Sequence, residues 1–324
     1  MAEPDGHPGY SGGLKRRREH SDGDVDSADE PSEFEGHVAS AASIYDVLQK
    51  LQGAHRQGSG FLGFLSTADA APLRSACREF RGVVADFPWD SFNRFPGSLR
   101  LWRACFPCAT AINICYRKDL SDADFVNLRG IHTLNMSGCD QEGITDTAFA
   151  HLTGIRSLIM SSCNQAGITD AAFAHLRGIQ GLDMSDCDQA GITDAAFTHL
   201  EGIRFLNMNR CVQAGITDAA FAYLSGIQHL FMKECRQEGI TDAAFAHLRG
   251  IKTLDMAGCR QETISDAAFA HLSGIHTLDM GGCDQPGITD AAFAHLRGIH
   301  TLDIWGCDQE GITDAAFVQS GGHH

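Results

Sequence analysis

The chain has 324 residues, 43% of them apolar, enough for one large domain or two ordinary ones with a continuous core. Its formal net charge of −16 argues against a nucleic-acid partner, which needs clustered lysine and arginine, and favours a basic or neutral protein surface. No stretch approaches the roughly 20 apolar residues that cross a bilayer, and the opening Met1, Ala2, Glu3, Pro4, Asp5 carries no export signal, so the expectation is a cytosolic or nuclear protein with no membrane partner.

Residues 1–39 are rich in Gly, Ser, Pro, Asp and Glu and read as a disordered acidic tail, because so few aliphatic side chains cannot offset the entropy of folding. Within this tail Lys15, Arg16, Arg17 and Arg18 form a basic run, of the kind that serves as a nuclear import signal or as a solvated charge cluster. Ser21, Ser27 and Ser32 each stand three places before an acidic residue, a pattern similar to acidophilic kinase sites.

From residue 40 the composition changes, and Ile44, Val47, Leu48 and Leu51 are spaced for one face of a helix until Gln57 to Gly60 interrupts it. The stretch from Phe61 to Trp89 then carries Leu65, Ser66, Asp69, Leu73, Cys77, Arg78, Phe80 and Trp89. In that order these residues resemble the F-box motif of three short helices. The resemblance implies that Phe61, Leu62, Phe64, Leu65, Leu73 and Phe80 dock on a Skp-type adaptor of a cullin ubiquitin ligase. Without it, residues 40–100 read as a helical cap for the repeats that begin at residue 120. Residues 101–119 form the junction, with Leu101, Trp102 and Phe106 expected to cover the open end of the first repeat.

From residue 120 to 311 the chain is eight units of 24 residues, with a partial unit and tail over 312–324. The opening Ile recurs at Ile144, Ile168, Ile192, Ile216, Ile240, Ile264, Ile288 and Ile312. Within a unit Thr145 is placed to cap a helix, and Asp146 stands where the helix dipole favours an anion. Phe149 and Leu152 share one helical face, and Gly154 ends the helix. Leu158 and Met160 then alternate as a strand does. Neither element can bury its apolar side alone, so the units must stack, giving nine parallel strands about 4.8 Å apart. The pattern Leu152, Ile155, Leu158, Met160, Cys163 resembles the leucine-rich repeat, most closely the cysteine-containing class found in F-box proteins. The expected fold is α/β: a leucine-rich-repeat solenoid, a curved parallel sheet with short helices on its convex side, preceded by a small helical F-box-like domain.

Several columns repeat with the unit. Cys115, Cys139, Cys163, Cys187, Cys211, Cys235, Cys259, Cys283 and Cys307 read as small buried side chains rather than disulfides or metal ligands, since stacked units aim their Cβ atoms in parallel. Gln141 and its equivalents to Gln309 read as an amide ladder bonding turn to turn. His151, His175, His199, His247, His271 and His295 read as surface residues of the outer helices, so no metal or other cofactor is expected. No set of titratable groups converges in these columns, and an enzyme is not expected.

Binding is expected where the units differ. Arg204, Phe205, Asn207, Asn209 and Arg210 of one unit and His229, Phe231 and Lys233 of the next depart most from the consensus, bringing exposed aromatics beside arginine as interface hot spots do. These form a candidate site for a target protein on the concave face, with Trp305 and the aspartates Asp255, Asp279 and Asp303 as a second, acidic contact. The resemblance implies that such a target is presented to the ligase. The plainer alternative is a repeat scaffold or effector protein with no ligase link. The last unit has no recognisable cap, and the expectation for that end is either pairing with a second copy or fraying.

Overall fold

A strand of three residues cannot stand alone, and each repeat supplies only one. In a computed structural model of the chain, which describes residues 70, 78–90 and 94–316, nine such strands form one parallel sheet in sequence order. They are β1 (Ala111–Asn113), β2 (Thr133–Asn135), β3 (Ser157–Ile159), β4 (Gly181–Asp183), β5 (Phe205–Asn207), β6 (His229–Phe231), β7 (Thr253–Asp255), β8 (Thr277–Asp279) and β9 (Thr301–Asp303). The central residue of each strand, Ile112 in β1 and a leucine in the others, pairs with the next, Leu158 opposite Leu182 and Leu182 opposite Leu206. The expected nine strands are present, but the first, β1, lies inside the segment read as a junction.

The local signals act as their chemistry predicts. Thr145 is extended at φ −128° and its hydroxyl accepts the N–H of Thr147, opening a one-turn helix over Asp146–Phe149. The same cap recurs at Thr169, Thr193, Thr217, Thr241, Ser265 and Thr289. Gly154, at φ +88°, occupies the left-handed region that turns the chain back toward the sheet. Ile144, Ala148, Phe149, Leu152, Ile155, Leu158, Met160 and Cys163 are all buried, and so are their counterparts through Phe293.

Three sets of hydrogen bonds join one unit to the next. In the first, Asp122 Oδ1 accepts the backbone N–H of Thr145 and Oδ2 accepts its hydroxyl, both at 2.7 Å. This clasp recurs from Asp146 to Thr169, Asp170 to Thr193, Asp194 to Thr217, Asp218 to Thr241, Asp242 to Ser265, Asp266 to Thr289 and Asp290 to Thr313. At Asp290 the bonds from Thr313 hold the carboxyl below its ordinary pKa.

In the second set, the thiol of Cys163 donates to the carbonyl of Met136, and the same bond recurs up to Cys307 and Met280. The cysteines are free, as the sequence led one to expect. Burial pushes Cys139 up to about 11 and Cys187 and Cys259 up to about 12, so each thiol keeps its proton and remains a donor. In the third set, the side-chain amide of Gln213 donates to Cys187 O at 2.8 Å, with equivalents at Gln165, Gln189, Gln237, Gln261 and Gln285.

Helices α1 (Arg78–Asp86) and α2 (Leu99–Cys105) precede the sheet. Trp89, Trp102 and Phe106 are buried there, Trp89 meeting Phe106 edge-on at 5.6 Å and donating from Nε1 to Val84 O at 2.7 Å. The Trp89 carbonyl also accepts the N–H groups of Thr110 and Ala111, which ties this segment to β1. Arg103 lies over the Trp102 ring at 4.7 Å and donates to the carbonyls of Asn127, Pro107, Ala109 and Arg129. Trp102 and Phe106 therefore cover the end of the stack as expected. Leu101 does not: on the outer side of α2 it is 66% exposed. The readings made for residues 1–69 and 71–77 lie outside the described residues.

The buried thiols predict how stability depends on pH. The unfolded chain releases thiol protons near the ordinary value of 9.0, whereas Cys187 and Cys259 hold theirs to about 12. Their contribution is complete below pH 9 and is lost as the pH rises through that window. The urea midpoint is expected to be lower at pH 10 than at pH 8, with a smaller drop in a Cys187→Ala, Cys259→Ala variant. An equal drop in both proteins would remove the thiols as its cause.

Candidate protein-interaction face

Alternation along each strand sends the central Leu inward and leaves its two neighbours on the outer face of the sheet. Most units hold an Asn or Asp after that Leu, and it closes the strand with a turn. Asn135 Oδ1 accepts the N–H and hydroxyl of Ser137, and Asp183 Oδ1 does the same for Ser185.

Phe231 breaks this rule on β6. It stands opposite Asn207 in register, and its ring lies 5.4 Å from that of Phe205 on β5, tilted by 43°. Phe205 is exposed and Phe231 half-buried. A phenyl ring cannot accept the N–H of Lys233 as an aspartate would. Asn209 Oδ1 of the preceding unit accepts it instead, at 2.7 Å. The departures at 209 and 231 thus compensate one another across a repeat boundary.

A second set of departures adjoins this pair. From Cys139 to Cys307 the position before each Cys of the column is left-handed, and Gly138, Gly258, Gly282 and Gly306 suit it. Between them stand Ser162, Asp186, Arg210 and Glu234, at φ +54° to +56°, each with a cost of about 1–2 kcal/mol for an L-residue. Arg210 bridges its two neighbours, with Nε 3.1 Å from Glu234 and Nη1 3.5 Å from Asp186. Asp186 was absent from the sequence-based site. The signal that would have found it is the glycine column, in which Asp186, Arg210 and Glu234 are charges at successive 24-residue steps.

The structure therefore gathers Phe205, Asn207, Asn209, Arg210, His229, Phe231 and Lys233 on adjacent units. Arg204 is exposed beside them, and its side chain forms no hydrogen bond or ion pair among the described residues. Trp305, 84% exposed, comes after β9, three strands beyond Phe231, and does not join the pair. Of the adaptor-docking residues, Phe61, Leu62, Phe64, Leu65 and Leu73 lie outside the described residues, and Phe80 falls in α1.

No protein-family model matches the chain, and no curated protein matches it by sequence. Solved structures match its fold. A chain of the Toll–Spatzle complex, a molecular hub in Drosophila development and innate immunity, superposes with a TM-score of 0.57 at 17% identity, covering 73% of this chain and 32% of that one. A chain of the TLR13–ssRNA13 complex does so with a TM-score of 0.53 at 16% identity, covering 73% of this chain and 38% of that one. The fold is a leucine-rich-repeat solenoid. The chain spans about a third of the length of these neighbours, and at such identity the likeness concerns the fold alone.

The strain at the solenoid's left-handed column is open to direct test. Ser162→Gly relieves the backbone and removes no side-chain bond, so stability is expected to rise by roughly 0.5–1 kcal/mol after the added chain entropy is subtracted. Arg210→Gly gives the same relief but loses exposed ion pairs, so its gain should be smaller than that of Ser162→Gly. Urea midpoints of the two variants check this. A Ser162→Gly protein less stable than the parent would contradict it.

Proposed function

We propose that this leucine-rich-repeat chain is a protein-interaction scaffold, and that its partner docks on the sheet face around Phe205 and Phe231. The observation that carries the reading is the mutual fit of departures in the central units. Phe205 and Phe231 pair with each other, Asn209 restores the bond Phe231 gives up, and Arg210 lies between two charges held on left-handed backbone. Independent drift of duplicated units has no reason to yield matched substitutions. An aromatic pair set among polar groups is also the composition of an interface hot spot. The work of such a molecule is recognition, with any chemistry supplied by what it recruits.

For a partner recovered from lysate, Phe205→Ala with Phe231→Ala is expected to lower recovery at least tenfold. The fold should persist, because neither ring belongs to the buried core. Unchanged recovery with an unchanged circular-dichroism spectrum would refute the site.

The finer proposal, that the chain presents its target to a Skp–cullin ubiquitin ligase, rests on the resemblance of Phe61–Trp89 to an F-box. Trp89 supports the plainer role of that segment, since it is buried against Phe106 and bonded to the start of the sheet. A pull-down with the full chain and a Leu65→Ala, Leu73→Ala variant decides between them. Adaptor recovered only by the unaltered chain supports the ligase receptor, and adaptor recovered by neither leaves a capped scaffold.

A further inference from the structure

Beyond the Phe205–Phe231 pair the sheet face turns acidic and then ends on a second aromatic. The register sets Phe231 opposite Asp255, Asp255 opposite Asp279 and Asp279 opposite Asp303. All three carboxylates are held in one way. Oδ1 accepts the N–H two residues on, from Ala257 at 3.0 Å, Gly281 at 2.9 Å and Trp305 at 2.9 Å. The shared turn aligns the side chains and leaves each Oδ2 without a hydrogen bond among the described residues. Within the same residues none of the three carboxylates has an ion-pair partner.

Aspartates one strand spacing apart, about 4.8 Å, repel one another. Asp255 registers this: burial first, and then the charge of Asp279, push its carboxyl up against the opposing effects of the Ala257 N–H and Lys233. Alongside the row the face holds Ala257 and Gly281 on one side until Trp305, and Thr253, Thr277 and Thr301 on the other, so no large side chain fences it off. At the aromatic end Arg210 is balanced by Asp186 and Glu234, Arg204 is exposed at the edge, and Lys233 offsets part of the charge at Asp255. Beyond Lys233 the strip runs from an apolar anchor into negative charge at Asp279 and Asp303 that no ion pair among the described residues neutralises.

We propose that this strip, from Phe205 and Phe231 past Asp255, Asp279 and Asp303 to Trp305, is the docking site of a cationic protein segment. An apolar side chain of the partner lies on the phenylalanine pair, and lysine or arginine side chains lie over the aspartates. The inference rests on the protein-binding reading of the same face and adds the partner's chemistry. Three strand spacings separate β6 from β9, about 14 Å, which about four or five residues of extended chain span. Cations there relieve the repulsion along the row, and an arginine reaching Trp305 gains a cation–π contact. A neutral or acidic segment gains neither.

Replacing the three aspartates by asparagine is a clean test, because Asn135 and Asn207 already close the same turn on β2 and β5. The probes are two fluorescein-labelled peptides, a tryptophan followed by alternating arginine and serine, and its counterpart with glutamate for arginine. Their binding to the full chain is read by fluorescence anisotropy. The arginine peptide is expected to bind and the glutamate peptide not to. Asp255→Asn, Asp279→Asn and Asp303→Asn together should weaken the arginine peptide at least tenfold, and added salt should weaken it further. Phe205→Ala with Phe231→Ala should weaken it as well. Equal binding of both peptides, or no effect of the asparagine variant, overturns the cationic partner. Sensitivity to the phenylalanines alone would then leave the protein-binding face standing, and indifference to both variants would remove both.

Discussion

The aspartate that opens each one-turn helix also closes the boundary to the next repeat. At Asp218 one carboxylate oxygen accepts the backbone N–H of Thr241 and the other its hydroxyl, while that hydroxyl accepts the N–H of Ala243. A helix of four residues is far below the length at which helix formation sustains itself, and a three-residue strand is equally dependent. The chain therefore cannot form one repeat and then dock it. Ordering the cap of one unit requires the carboxylate of the unit before, and the buried thiol and amide bonds to preceding carbonyls impose the same condition. Stability resides in the boundaries between units, as it must in a one-dimensional stack.

That construction uses inward and edge positions and leaves the sheet face nearly free. Even there a constraint operates, because the residue after each central leucine normally closes a turn with its own side-chain oxygen. Phe231 is costly at that position for a reason unrelated to its size: it removes an acceptor. Asn209 supplies a substitute from the adjoining repeat. That bond keeps the Lys233 N–H paired while Phe231 takes the place of the usual acceptor.

Much of the fold was legible in the sequence. The 24-residue period sets the strand count, and the placement of Thr145, Gly154, Phe149 and Leu152 gives the capped helix, its end and its buried face. The glutamine column was read as bonding turn to turn, but the partners of the bonds between units escaped. Asp146 reads within its own repeat as a dipole partner, while its bonds reach Thr169, 23 residues on. The acceptor of the Cys163 thiol is 27 residues back, and that of the Gln213 amide is 26 back. Such offsets differ slightly from the period, so aligning the units on one another does not bring donor and acceptor into one column. Asp186 was missed for a related reason: its meaning comes from Arg210 and Glu234 in the two units after it. At the amino-terminal end Leu101, Trp102 and Phe106 looked equivalent, but α2 turns Leu101 outward while Trp102 and Phe106 face the first repeat. Periodicity does not resolve that within a single two-turn helix.

The left-handed column shows how unevenly backbone strain is distributed among the units. Gly138, Gly258, Gly282 and Gly306 accept the turn without strain, and the four units between them carry side chains there. Exposed ion pairs such as those of Arg210 return less than the roughly 1–2 kcal/mol that a left-handed L-residue costs. Stability alone would favour glycine throughout. Two of these strained side chains, Arg210 and Glu234, come directly after the strands that bear Phe205 and Phe231, and Asp186 belongs to the unit before. Tyr116 and Ser162 hold the same left-handed backbone away from the aromatic pair, so the strain is tolerated wherever the bonds between units fix the turn, with or without a charged side chain to occupy it.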